Sequence, residues 1–113
     1  MADNTVKSIL CKLKLSGLEC CRLDSSLNLE YVGSITSPLV VLPYGLHGVV
    51  GTGFSGLDIE VLKFNKDLCE LELTALSNCT KFKELYIYPS QSLLVQGLIK
   101  LYPNLNIVYR REK

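Results

Sequence analysis

Apolar residues recur along this chain at a spacing of 22 or 23 positions. The clearest apolar segments are residues 62–64 and 85–87, whose first residues lie 23 positions apart. One column of this spacing is Leu18, Val40, Leu62, Leu85 and Val108, and the next is Cys20, Leu42, Phe64, Ile87 and Arg110. Since only 48% of the chain is hydrophobic, unrelated columns would be about half polar. The spacing therefore predicts repeated units that bury their apolar faces against one another. Leu62, Leu71, Leu76 and Leu85 should be nearly fully buried, while Lys63 and Tyr86 stay accessible.

A shorter spacing competes with this one. Leu57, Leu71 and Leu85 lie 14 residues apart, as do Leu13 and Leu27, which would suit a meander of short strands. That spacing fails between residues 27 and 57 and again after residue 85, whereas the longer one covers nearly the whole chain. We therefore prefer the spacing of 22–23.

The columns predict a strand in each unit, at residues 18–20, 39–42, 62–64, 85–87 and 105–109. Residues 92–101 have helical periodicity, and residues 5–13 read as a short helix capped by Asn4 and Thr5, although 13–15 alternate like a strand. The expected fold class is an α/β repeat solenoid, leucine-rich-repeat-like, with a parallel β-sheet on one face and loops and short helices on the other. Residues 1–113 form one domain of four to five coils, with residues 1–17 as an N-terminal cap.

One segment carries a family resemblance. It runs through Phe64, Leu68 and Leu71 to residues 75–79 (ALSNC), and continues through Phe82 to residues 85–87. This pattern resembles leucine-rich repeats, especially the BspA-type subclass, and the resemblance extends over residues 39–109. Because such repeats generally serve as binding surfaces, it implies a non-catalytic protein-protein interaction module and no enzyme.

Strand alternation predicts the binding surface. If the column residues point inward, their neighbours along each strand point outward. Several of these neighbours are apolar or aromatic, and exposed patches of that kind mark interaction sites. The predicted partner-binding residues are Val41, Val61, Lys63, Tyr86, Tyr88 and Tyr109.

A glycine motif suggests an alternative function. Gly51, Gly53 and Gly56 form a GxGxxG pattern after two valines, as in nucleotide- or dinucleotide-binding loops. Glu70 and Glu72 follow at about the distance of a ribose contact. The segment after Gly56 is short and alternating, however, and the chain is too short for a two-halved nucleotide fold.

Composition limits the remaining chemistry. The net charge is +1 with no basic block, so no nucleic acid is expected, and the apolar runs are far shorter than the ~18 residues of a membrane span. A single histidine, His47, five cysteines and no CxxC motif predict neither a metal nor a cofactor. Cys20 and Cys79 fall in buried columns and are read as reduced thiols, which favours the cytoplasm.

The C-terminal end is the least protected. Residues 105–109 would leave one strand edge unpaired, and residues 110–113 supply charges that discourage pairing but cannot cover a whole coil. We therefore expect self-association through the C-terminal coil, which would make the protein a homo-oligomer, or docking of a partner there.

Overall fold

Within residues 2–111, which a computed structural model describes (side chains from residue 6 onward), a long helix precedes ten short β-strands. The helix is α1 (Ala2–Leu15), and a second helix, α2 (Gln96–Leu101), lies before the last strand. The strands are β1 (Leu18–Glu19), β2 (Arg22–Leu23), β3 (Asn28–Tyr31), β4 (Ser34–Ile35), β5 (Leu39–Val41), β6 (Gly48–Gly53), β7 (Val61–Lys63), β8 (Glu70–Leu71), β9 (Glu84–Ile87) and β10 (Asn106–Tyr109). Two 3₁₀ helices are Leu73–Leu76 and Pro89–Val95.

Four strands form a parallel sheet, called sheet 1 here, in the order β10-β9-β7-β5. Its register aligns Val40 with Leu62, Leu62 with Leu85, and Leu85 with Ile107. The first three of these side chains are fully buried, and Ile107 packs against the same core. The predicted pairing of the segments at Leu62 and Leu85 is confirmed.

The last strand is shifted by one residue from the prediction. Ile107 lies opposite Leu85, and Tyr109 lies opposite Ile87, so the column members predicted there, Val108 and Arg110, were wrong. The Asn106 N–H donates to the Lys83 carbonyl at 2.9 Å, which sets the register. The shift turns apolar Ile107 toward the core and leaves Arg110 free to reach the surface.

A second sheet, called sheet 2, occupies the segments that were expected to be loops and short helices. Its order is β2-β3-β6-β8, with β2 and β3 joined as an antiparallel hairpin and the other pairs parallel. Leu29 of β3 and Val49 of β6 are aligned and fully buried. These two residues belong to the same core as the inner side chains of sheet 1.

The predicted fold class, a leucine-rich-repeat-like solenoid with one parallel sheet, is wrong. The described residues form three sheets, because β1, expected as the first strand of the parallel sheet, pairs antiparallel with β4 instead. The radius of gyration, 13.0 Å, is that of a compact domain of about this length. Segments before and between the strands of sheet 1 form short strands themselves, which gives a small α/β fold with parallel and mixed sheets.

The helices also differ from their predicted bounds. Helix α1 begins before Asn4 and Thr5, so neither residue caps it, and it buries Ile9 and Leu13 in the core. The helix predicted at residues 92–101 is divided into the 3₁₀ helix Pro89–Val95 and α2. None of the helices in the described part of the chain has the length and apolar character needed to cross a membrane.

Candidate functional site

The side of sheet 1 that faces away from the core is the candidate interaction surface. The register places Val41, Lys63 and Tyr86 side by side, and Val61 two residues before Lys63 on the same side. Tyr88 follows Tyr86 by two residues and continues that face. This surface, called the outer face, gathers five of the six predicted partner-binding residues: Val41, Val61, Lys63, Tyr86 and Tyr88.

Tyr109 does not join them. It lies opposite the buried Ile87, so strand alternation places it on the other side of the sheet from Tyr86. Its ring is 56% exposed and lines a shallow groove beside Pro89 and Ser90. The one-residue shift of β10 is the reason, since the predicted spacing would have put Tyr109 on the outer face.

Cations hold both tyrosine rings of the outer face in position. The Lys63 Nζ lies 4.8 Å from the centre of the Tyr86 ring, and the Arg110 guanidinium lies 5.2 Å from that of Tyr88. Arg110 Nη1 also donates to the Phe64 carbonyl at 2.7 Å, which fixes the guanidinium. Exposed cation–π contacts of this kind contribute about 0.5–1 kcal/mol each, which favours these ring positions before anything binds.

Apolar exposure concentrates at one end of the outer face. On the end strand β5, Leu39 is 43% exposed and Val41 is 40% exposed, while the adjacent Val61 is half-buried. An ion pair of 3.3 Å between Lys83 and Glu60 lies directly before β9 and β7. Apolar residues bordered by charged ones are the usual composition of a protein interface.

The glycine motif has a structural use. Gly51 and Gly53 lie in β6, with Gly51 at a φ of 63°. A Cβ on Gly51 would lie 2.9 Å from the Glu30 carbonyl oxygen, and the Gly51 N–H donates to the Glu72 carboxylate at 2.8 Å. The chain after Gly56 leads into β7 and not into a helix, so the helix N-terminus of a phosphate-binding loop is not present after this motif.

A polar cluster in sheet 2 was missed by the sequence analysis. Cys69 Sγ lies 3.0 Å from His47 Nε2, and the Cys69 N–H donates to the His47 carbonyl at 2.9 Å. On the other side of the imidazole, Nδ1 lies 3.4 Å from Asn28 Oδ1 and 3.9 Å from Glu70 Oε1. The separation of His47 and Cys69, 22 residues, was the signal available in the sequence, because it equals the register of β6 on β8.

Asn28 is held by carboxylates and by the absence of a side chain at Gly48. The Asn28 amide nitrogen donates to Asp24 Oδ2 at 3.1 Å and to Glu70 Oε1 at 3.4 Å. A Cβ on Gly48 would lie 2.6 Å from Asn28 Oδ1, so only glycine leaves room for this amide. The Asn28 backbone N–H, followed by its amide and the Ser26 N–H, holds the pKa of Asp24 below the ordinary 3.8.

The five thiols differ in their surroundings. Cys79 is buried as predicted, and burial raises its pKa. Burial, together with the neighbouring Cys20, raises the pKa of Cys21 to about 11. Cys20 was predicted in a buried column and is exposed instead, because β1 ends at Glu19 and Cys20 turns the chain with a φ of 57°. Cys11 and Cys69 are also exposed.

The candidate site is not further defined by a metal ion or by a related protein. Among the described residues, no three His, Cys, Asp or Glu side chains are grouped so as to hold a metal ion. Comparisons of the chain with protein-family models, curated proteins and solved structures found no match. The resemblance to leucine-rich repeats therefore stays a likeness of sequence pattern.

Proposed function

We propose that this chain is a non-catalytic protein-interaction module whose partner protein binds the outer face of sheet 1. The observation that carries the proposal is the exposure of Leu39 and Val41, 43% and 40%, beside two tyrosines that cations hold in place. Exposed apolar patches with charged surroundings mark interaction sites, and tyrosines are frequent among the residues that dominate binding energy.

The pre-ordered rings support this use of the surface. A side chain that is already restricted loses less entropy when a partner covers it. Tyr86 and Tyr88 are each in contact with a cation before binding, so a partner gains their apolar area at low entropic cost. A partner with an apolar centre and acidic groups around it would complement Lys63 and Arg110.

Tyrosine truncation on the two sides of sheet 1 tests the proposal. Proteins retained by the tagged chain are identified by quantitative mass spectrometry, and the affinity of each purified partner is then measured for Tyr86→Ala and Tyr109→Ala. We expect Tyr86→Ala to weaken binding by about tenfold or more, as loss of a dominant interface tyrosine does. Tyr109→Ala removes the same group from the adjacent strand on the opposite side and should leave the affinity unchanged.

Circular dichroism and urea denaturation establish that both variants keep the fold. Equal affinities for Tyr86→Ala and wild type, with the fold intact, would rule out the outer face as the binding surface. A loss confined to Tyr109→Ala would move the surface to the other side of the sheet.

The proposal includes a compartment. All five cysteines, which lie within the described residues, are free thiols, and free thiols are typical of reducing compartments. We therefore propose that the protein is cytoplasmic.

A further inference from the structure

We propose that Cys69 is a thiol modification site that His47 activates for exchange with low-molecular-weight disulfides, forming a mixed disulfide on the protein. The inference rests on sheet 2 and is independent of the partner proposed for sheet 1. Its basis is a chain of three contacts that runs from Asp24 through Asn28 and His47 to Cys69.

The orientation of Asn28 follows from its neighbours. Its amide nitrogen faces two groups that only accept hydrogen bonds when ionised, the carboxylates of Asp24 and Glu70. The amide oxygen must therefore be the atom that faces His47 Nδ1, at 3.4 Å. Because that oxygen cannot donate, the neutral imidazole carries its proton on Nδ1 and leaves Nε2 as an acceptor.

The acceptor nitrogen faces the thiol. Cys69 Sγ lies 3.0 Å from Nε2, so the S–H donates to the imidazole and the proton has a direct path to it. The charged imidazolium that results lies 3.9 Å from the Glu70 carboxylate, with Asp24 behind Asn28. A nucleophile, its base and a group that orients the base form the arrangement that activates a cysteine.

The other thiols lack this arrangement. His47 is the single histidine of the chain, so only one cysteine can use it. Cys21 and Cys79 have raised pKa values because they are buried. Cys11 and Cys20 are exposed like Cys69, and they serve as controls within the same molecule.

The exchange balances without a further reagent. The Cys69 thiolate attacks one sulfur of the disulfide R–S–S–R, a bond forms between Cys69 and that sulfur, and the original S–S bond breaks. The leaving thiolate takes the proton that His47 received, and RSH departs. The Cys69 sulfur is oxidised, and the released sulfur is reduced. A low-molecular-weight thiol reverses the reaction by attacking the mixed disulfide.

Glutathione disulfide is the probe. The wild-type chain is incubated with it at pH 7, and the mixed disulfide at each cysteine is followed by peptide mass spectrometry. Because His47 lies 3.0 Å from the Cys69 sulfur and takes its proton during the attack, we expect Cys69 to react about tenfold faster than Cys11 and Cys20.

The variant His47→Gln removes the base and keeps a polar side chain. We expect the Cys69 rate to fall to that of Cys11, while the rates at Cys11 and Cys20 do not change. The buried Cys79 should stay unreactive, which reports an intact fold. A second measurement needs no variant: the excess of Cys69 over Cys11 in wild type should disappear above about pH 9, where ordinary thiols ionise unaided. Equal rates for the three exposed thiols at pH 7 would overturn the proposal, as would a Cys69 rate that His47→Gln leaves unchanged.

Discussion

Asn65 connects three turns of the chain through a single buried residue. Its side-chain nitrogen donates to the Pro43 carbonyl and to the Leu46 carbonyl at 3.2 Å, and its own carbonyl accepts from Gln91 Nε2 at 2.7 Å. Gln91 Nε2 also donates to the Leu68 carbonyl at 2.9 Å. These carbonyls follow the ends of strands inside the protein, where an unpaired polar group is costly. The two amides therefore replace the hydrogen bonds that the ends of the strands lack.

A single buried apolar side chain makes a measurable contribution to the free energy of unfolding. Leu76 is fully buried at the end of the 3₁₀ helix Leu73–Leu76. We expect Leu76→Ala to lower the free energy of unfolding by about 2–5 kcal/mol, because a cavity adds to the lost transfer energy. Urea denaturation measures the change, and it is large relative to the stability of about 5–15 kcal/mol of an ordinary domain.

Leu93→Ala is the matched control. Leu93 lies in the other 3₁₀ helix and is 77% exposed, so its loss should change the free energy by less than about 0.5 kcal/mol. Similar losses for the two variants would show that Leu76 does not belong to the core.

Residue burial was partly predictable from the sequence. The column spacing correctly predicted that Leu62, Leu76 and Leu85 are fully buried. Leu71 is only half-buried, because β8 is an end strand of sheet 2. Lys63 and Tyr86, expected to be accessible, are each partly exposed, because the two side chains lie against each other. Spacing predicts the face of a strand, but contacts between side chains on that face determine the exposure.

The turn between β2 and β3 is stabilised by hydrogen bonds to an ionised carboxylate, that of Asp24. Asp24 Oδ1 accepts from the Ser26 N–H at 2.8 Å and from the Asn28 N–H at 2.9 Å. The Asp24 N–H donates to the Asn28 carbonyl at 2.9 Å, which closes the turn. The ionised carboxylate therefore stabilises the hairpin that begins sheet 2.

The pH dependence of this contribution has a definite sign. The pKa of Asp24 in the folded chain lies below 3.8, so the ionised form favours folding. The stabilisation is complete above the unfolded pKa of about 4 and is lost as the pH falls through the lower, folded value. We expect Asp24→Asn to cost at most about 1 kcal/mol at pH 7, because the carboxylate is partly solvated.

Denaturation of wild type and Asp24→Asn at pH 7 and near pH 2 measures this difference. It should be present at pH 7 and should shrink as the pH falls through the folded pKa of Asp24, because protonation removes the charge that distinguishes the two side chains. A difference that stays constant over this range would mean that the charge of Asp24 does not contribute.

Elements within sheet 2 could not be predicted from spacing. The hairpin and β6 were read as turns because serines and glycines dominate those segments. Leu27 has a φ of 64°, which is uncommon outside glycine. The hydrogen bonds to the Asp24 carboxylate close this turn and offset the energetic cost of that conformation. The strands of sheet 2 are short and their register shifts between β3 and β6, so the alternation is too brief to be recognised.

At the scale of the whole molecule, sheet 1 ends in a strand whose outer edge pairs with no other strand of residues 2–111. Strand β10 is at one end of the sheet order, and the Arg110 side chain reaches Phe64 and Tyr88 and does not cover the strand edge. Glu112 and Lys113, expected to discourage pairing, lie outside the described residues. We propose that two copies of the chain associate through β10, because an exposed strand edge offers main-chain groups for pairing.

Sedimentation over a concentration series tests this association. The N–H groups of Asn106 and Arg110 donate to β9, so alternation directs the Tyr109 N–H to the free edge. Tyr109→Pro should abolish the dimer, because proline has no N–H. Tyr109→Ala retains the N–H and should still associate. A wild-type chain that is monomeric at every concentration would contradict the proposal.

The sequence predicted sheet 1 more accurately than it predicted the overall fold. The spacing of 22–23 residues gave the strands at Leu62 and Leu85 and the face that carries Tyr86, because alternation and register are local rules. The number of sheets depends on which of the weakly patterned segments pair with one another as strands. Packing against the shared core determines that pairing. The Cys69–His47 pair was missed for the same reason, since it lies in sheet 2.

The register of sheet 1 also determines the form in which its surface is presented. Val41, Lys63 and Tyr86 come from three separate segments and become neighbours only through strand pairing. No short peptide of this chain contains the surface, so it is a discontinuous epitope. A partner that binds this surface therefore binds folded molecules and not unfolded or truncated ones. Binding of the partner thus reports that the chain is folded.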